Sequence, residues 1–209
     1  DNPLLGWRVR DLRTGTLPFL RGEGLANYLS DPVVRARLSR PPEEDREAAI
    51  QFVLNVFVNP AFSWDGIADI RRRTRLPLLL KGITHPSDAR MAVEYGVDGI
   101  IVSNHGGRQV DGAVTALDAL PEIRQAVGDR VTLLMDSGIR RGADVLKALA
   151  LGASAVLLGR PYIYGLAVAG EEGVRQVIWN LMAEIELQMA LCGCRSVAEV
   201  DRGLVTRDA

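Results

Sequence analysis

From Trp64 onward, short apolar runs alternate with helical stretches, and this rhythm limits the fold more than any other feature of the 209 residues. "SWDGIADIRRRT" reads as a helix with Ser63 as a candidate N-cap, and "LPLLLKG" as the strand that follows. "SDARMAVEYG" is helical and closes at Gly96, "DGIIVSNHGG" is a strand, and "LDALPEIRQAVG" is a helix whose start is blurred by Pro121. "VTLLMDSG", "GADVLKALALG" and "ASAVLLGRP" continue as strand, helix and strand. A single long helix follows, with Val174, Ile178, Leu181, Ile185 and Met189 on one face.

Apolar strands alternating with helices give a parallel sheet with helices outside it. Each of the four strands ends in a polar or glycine-rich segment: Lys81-Gly82, Ser103 to Arg108, Asp136-Ser137-Gly138 and Gly159-Arg160. Function gathered at the carboxyl ends of strands suits a barrel and also an open doubly wound sheet. The doubly wound fold predicts G-x-G-x-x-G after its first strand, and none of these turns carries it. The expected fold is therefore α/β, a TIM (β/α)8 barrel, with residues 64–209 forming half of it. Residues 1–63 stand outside the rhythm and read as a long loop or lid. Within them a helix is expected from Glu43 to Phe57, with Ala49, Ile50, Val53, Leu54 and Phe57 on its apolar side. A connection of that length in a compact domain is usually functional.

Composition removes several function classes. A net charge of -1 supplies no basic field for nucleic acid. No apolar stretch reaches the roughly 18 residues of a membrane span, and no signal peptide is recognisable. Cys192 and Cys194 are too few and too close for a disulfide framework, and with no ligand neighbours they read as packing. That cysteine usage suits a reducing compartment, so a cytoplasmic location is expected. The chain opens on Asp1 rather than Met, which suggests a processed or partial chain.

The chemistry gathers at the strand ends. Glycines let backbone N–H groups approach a phosphate, and Arg140 and Arg160 in "DSGIRRG" and "LLGRP" can hold one bidentately. The bland alternative is that both are surface arginines. Only two of the 25 basic residues are lysines. Lys147 lies in a helix, whereas Lys81 ends an apolar run and can stabilise a developing anion. Of the two histidines, His85 in "THPSD" reads as structural. His105 follows a buried strand with Arg108 three residues on, the arrangement of a general base beside a carboxylate-binding cation. Spacing alone leaves a structural histidine equally open.

"SNHGGRQ", preceded by "LPLLLKG" and followed by "DSGIRRGADVLKALALGASAVLLGRP", resembles the FMN-dependent α-hydroxy acid oxidase family. The likeness runs from "DNPLLGWRVRDL" to "CGCRSVAEV", and "NPAFSWDGIADIRRRTRLPLLLKGI" is most similar to the family's lactate 2-monooxygenase branch. The resemblance implies FMN as cofactor, a small L-2-hydroxy acid such as L-lactate as substrate, and O2 as oxidant with acetate as product. An oxidase or dehydrogenase releasing the keto acid is the alternative. It implies that the chain supplies strands five to eight and the long loop after strand four, completed by an N-terminal segment or chain, in a homo-oligomer. His105 matches the base that takes a proton from the substrate's Cα or hydroxyl, with Asp1 matching the aspartate that orients it. Arg108 and Arg8 match the substrate-binding arginines. Lys81 and Ser103 match contacts to the flavin ring, Asp136 a ribityl contact, and Arg140, Gly159 and Arg160 the phosphate end. Ser137 and Gly138 fall in the same cofactor-binding turn, where the family pattern D-G-G has become D-S-G. If Ser137 takes a positive φ there, roughly 1–3 kcal/mol of strain follows. Two other readings stand beside this one. A phosphate-binding barrel acting on a phosphorylated substrate has no need of the Arg108 carboxylate clamp. An inactive half-barrel has no need of His105, Arg108 and Lys81 together.

Overall fold

The four apolar runs are strands of one parallel sheet in a computed structural model that describes residues 25–57 and 61–206. They are β1 (Leu79–Ile83), β2 (Gly99–Val102), β3 (Thr132–Met135) and β4 (Ala155–Val156), ordered β1-β2-β3-β4. Lys81, Ile101, Leu134 and Ala155 lie in register across the sheet, as do Leu80, Ile100 and Leu133. Successive residues face opposite sides. Ile100 and Leu133 are fully buried beside Leu120 and Ile123, while Ile101 and Leu134 on the other side are only half-buried. The sheet therefore has one covered face and one open face. Among the described residues β1 and β4 have no outer neighbour.

Contacts divide the chain into residues 1–66 and 67–209. In the first unit, α1 (Ala26–Ser30) and α2 (Pro32–Arg35) appear where a loop is expected, and α3 (Arg46–Phe57) is the expected helix. Leu25, Leu29, Ala49, Ile50 and Val53 form a small core there, with Leu54 packed against it; the Phe57 side chain lies outside the described residues. The helix begins at Arg46 rather than Glu43. Glu43 is instead held by both guanidinium nitrogens of Arg35 at 2.8 Å, and Asp45 accepts the Ala48 N–H. A carboxylate placed just before a helix in this way fixes its start.

Helices α4 (Trp64–Arg73), α5 (Pro86–Glu94), α6 (Ala116–Val127) and α7 (Gly142–Ala150) alternate with the strands. His85 is structural as expected: its Nδ1 accepts the Ser87 N–H at the start of α5. Pro121 does not delay α6, because Thr115 caps the helix a turn and a half earlier, through the Asp118 N–H. The last segment, α8 (Arg160–Leu191), corrects the expectation of one continuous amphipathic helix. Ala169 and Gly170 leave helical geometry, and the two parts turn back on one another. A Cβ on Gly165 would lie 2.5 Å from the Gly173 carbonyl oxygen, so glycine alone permits this crossing. Ile178 is 45 % exposed, while Val177 packs close to Gly165. Ile185, Met189 and Cys194 pack with Leu146, Ala150 and Val200, and both cysteines are free thiols. No described helix is long and apolar enough to cross a membrane.

Candidate active site

All four strand ends open into one cleft of about 310 Å³, lined by Lys81, His105, Arg108, Asp136, Arg140 and Arg160 among others. Ser137, Gly138 and Gly159 also line it, so the structure brings together nine of the predicted site residues. Ser103 lies beneath them, 1 % exposed. Asp1 and Arg8 fall outside the described residues.

Lys81 is not a free cation. Its Nζ lies 2.7 Å from Asp136 Oδ2 and donates to Ser103 Oγ at 2.8 Å. Burial alone would push the Asp136 carboxyl up. Hydrogen bonds from Lys81, Ser103 and Ser137, with the Lys81 charge, outweigh that and hold it below the ordinary carboxylate range. Arg108 and Arg140, in contrast, make no ion pair among the described residues. Four permanent cations against one carboxylate make the cleft electropositive, suited to a carboxylate or a phosphate.

The loop after β2 has left-handed backbone at His105. His105 has φ 57° and Ser137 φ 77°, and these are the two non-glycine residues with positive φ among the described ones. Such geometry costs on the order of 1–3 kcal/mol per residue and persists only where surroundings hold it. Here they do. Asn104 accepts the Gly107 N–H, Ser103 Oγ accepts the His105 N–H, and Ser137 Oγ accepts the Gly106 N–H. Arg160 donates to the Gly106 carbonyl at 2.8 Å.

Two contributors escaped the sequence reading. Gly82 sits at a register shift in β1 with φ 98°, and a Cβ there would approach His105 Cε1 to 3.0 Å. A glycine directly after the strand-end lysine was the available signal. Asn104 both caps the His105 turn and donates to the Val114 carbonyl, a habit of asparagine in tight turns.

At the other end of the cleft, Gly159 precedes α8 with no side-chain cap and with open space where a Cβ would stand. Arg140 and Arg160 line the same end of the cleft, beside a helix N-terminus whose backbone N–H groups favour an anion.

A family model described as FMN-dependent dehydrogenase matches residues 1–207. The chain is 49% identical over 197 residues to an L-lactate oxidase of Lysinibacillus sphaericus (strain C3-41), covering 94% of this chain and 50% of that protein. It is 47% identical over 210 residues to an FMN-dependent alpha-hydroxy acid dehydrogenase of Penicillium citrinum, covering 99% and 52%. Among solved structures, a mandelate oxidase variant with a monooxide FMN adduct superposes with a TM-score of 0.65 at 52% identity, covering 68% of this chain and 45% of that one. The chain spans about half the length of the curated relatives it matches. Four parallel strands with their helices are half of the eight-stranded barrel of that family. The chain thus belongs to the FMN-dependent dehydrogenases, and its cleft lies at the carboxyl ends of their barrel strands.

Proposed function

We propose that this protein oxidises a small L-2-hydroxy acid, L-lactate first among them, using FMN and O2. The observation that carries the reading is the placing of His105 beside Arg108, unpaired among the described residues, on one turn after β2, in a cleft also lined by Lys81, Arg140 and Arg160.

The residues fit FMN. Arg140, Arg160 and the open N-terminus of α8 would hold its phosphate, and Lys81, with Ser103 beneath it, would meet the ring. Bound there, FMN supplies the acceptor for two electrons. Oxidising a 2-hydroxy acid to a 2-keto acid removes one hydrogen from Cα and one from the hydroxyl. His105 takes one of them as a proton, a role that neutral imidazole suits near pH 7. Arg108 binds the substrate carboxylate through paired N–H donors and so fixes which face of Cα is presented. Asp1 and Arg8 join as orienting aspartate and second substrate arginine.

The identity of L-lactate rests on the likeness to an L-lactate oxidase. Oxidative decarboxylation to acetate rests on the resemblance of residues 59–83 to lactate 2-monooxygenase. Residues 1–63 serve as the lid that retains the keto acid. A further segment or chain closes the barrel, for which the outer edges of β1 and β4, unpaired among the described residues, are the support, and the closed barrels associate as a homo-oligomer. A cytoplasmic location belongs to the same proposal, supported by two free thiols.

The test is the visible spectrum of the whole protein under anaerobic conditions, before and after L-lactate. Bleaching of a flavin band upholds the reading. A band that survives L-lactate, glycolate and (S)-mandelate sinks it. In air, acetate as product supports decarboxylation, whereas pyruvate with peroxide replaces it with simple oxidation.

A further inference from the structure

Both backbone amides that flank the His105 Cα are tethered to serine hydroxyls. The His105 N–H donates to Ser103 Oγ at 3.0 Å, and the Gly106 N–H donates to Ser137 Oγ at 2.9 Å. Ser137 Oγ in turn donates to Asp136 Oδ1 at 2.9 Å. Lys81 closes the circuit, because its Nζ contacts both Asp136 Oδ2 and Ser103 Oγ. Six residues thus form one ring: Lys81, Asp136, Ser137, Gly106, His105 and Ser103.

We infer that Ser137 is a positioning residue for His105, acting through the Gly106 amide rather than on a ligand. A serine hydroxyl has a single donor, and here it is committed to Asp136. The oxygen is left to accept, and it accepts the amide that follows His105. Residue 137 holds a positive φ that glycine would adopt freely, so the hydroxyl, not the backbone shape, is what a serine adds at this position. The loop it restrains contains Gly106 and Gly107, both with positive φ, and would otherwise sample many conformations. Arg160 holds the same residue from the other side through the Gly106 carbonyl. With both polar groups of Gly106 engaged, the left-handed backbone of His105 is set, and with it the direction from which the imidazole enters the cleft.

The inference rests on the reading of His105 as base, and the test separates the two. Ser137→Ala and Ser137→Gly are made in the whole protein. Hydrogen exchange is then read at the Gly106 amide, beside kcat, KM for L-lactate and FMN affinity. Loss of the acceptor should speed Gly106 exchange about tenfold in both variants. Turnover should fall roughly 10- to 100-fold, as for a misplaced catalytic group, with KM and FMN affinity within about twofold. Ser137→Gly should melt no lower than the parent, because glycine relieves the strain, so lost turnover in that variant cannot come from misfolding. Unchanged Gly106 exchange in both variants overturns the tether. So does full kcat in Ser137→Gly. Weakened FMN binding with unaltered exchange would instead assign Ser137 to the cofactor. Faster exchange in variants of a parent that turns over no 2-hydroxy acid upholds the tether and overturns His105 as base.

Discussion

The two ends of the parallel sheet use arginine in opposite ways. At the amino ends, guanidinium groups are engaged by the chain's own carbonyls and carboxylates. Arg71 donates to the Thr74 and Leu76 carbonyls and pairs with Asp98 at 2.7 Å, and Asp98 also accepts the Leu78 N–H where β1 begins. Arg124 bonds the Gly128 and Gly152 carbonyls, and Arg130 those of Ala126 and Val127. At the carboxyl ends, Arg108 and Arg140 make no ion pair among the described residues, and they stand beside two left-handed non-glycine residues. The same side chain is a staple at the amino ends and an unspent donor at Arg108 and Arg140; Arg160, which bonds the Gly106 carbonyl, is a staple among them. What separates the two sets of arginine is whether the fold already engages their N–H groups.

That contrast can be broken by substitution at either end. The largest expected effect is on His105. In the whole protein His105→Gln should lower kcat roughly 10³-fold with little change in melting temperature; an equal loss of stability would make it a structural residue like His85. At the amino ends Arg124→Met should do the reverse. It strands two carbonyls and should cost about 2 kcal/mol, or roughly 4–8 °C by thermal melting, with kcat unchanged. Arg140→Met sharpens the comparison from the other side. FMN affinity should fall about tenfold or more while the melting temperature of the apoprotein holds, and an apoprotein that melts lower would place Arg140 among the staples. The smallest effect is on pH. Asp136 has a carboxyl pKa held below its unfolded value, so its contribution is complete above about pH 4 and is lost as pH falls through the folded value. Gly106 protection should therefore be flat from neutral pH down to about 4 and decline only below it. A decline beginning near pH 6 would point to a different titrating group.

Much of this contrast was legible before any coordinates. Run length and spacing identified the four strands, because Ile100-Ile101-Val102 is a short β-branched run and Leu133-Leu134-Met135 lies in an apolar run too short for a helix. Polar residues crowding each strand end pointed to the cleft. The pairing of Lys81 with Asp136 was not legible, since 55 residues and two strands separate them and only sheet register brings them within 2.7 Å. Nor was the left-handed backbone at His105, which depends on acceptors supplied by residues 103 and 137. The break in α8 escaped for a different reason. Both arms are apolar enough to read as one helix, and the glycines at 165, 170 and 173 were the signal that the periodicity masked. The two short helices of residues 26–35 were hidden by proline and charge, although Leu25 and Leu29 close on the apolar side of the expected helix that follows.

The crossing of Gly165 over Gly173 has a consequence for which changes this protein can accept. Adding or deleting one residue at the Ala169-Gly170 turn would rotate the second arm by about 100°. A side chain would then face the opposing carbonyl, and the arms could no longer touch. The turn is exposed and joins two helices, the kind of place where lineages ordinarily gain and lose residues. In this hairpin its length is as fixed as that of a core strand, and relatives that keep both glycines should keep seven residues between them.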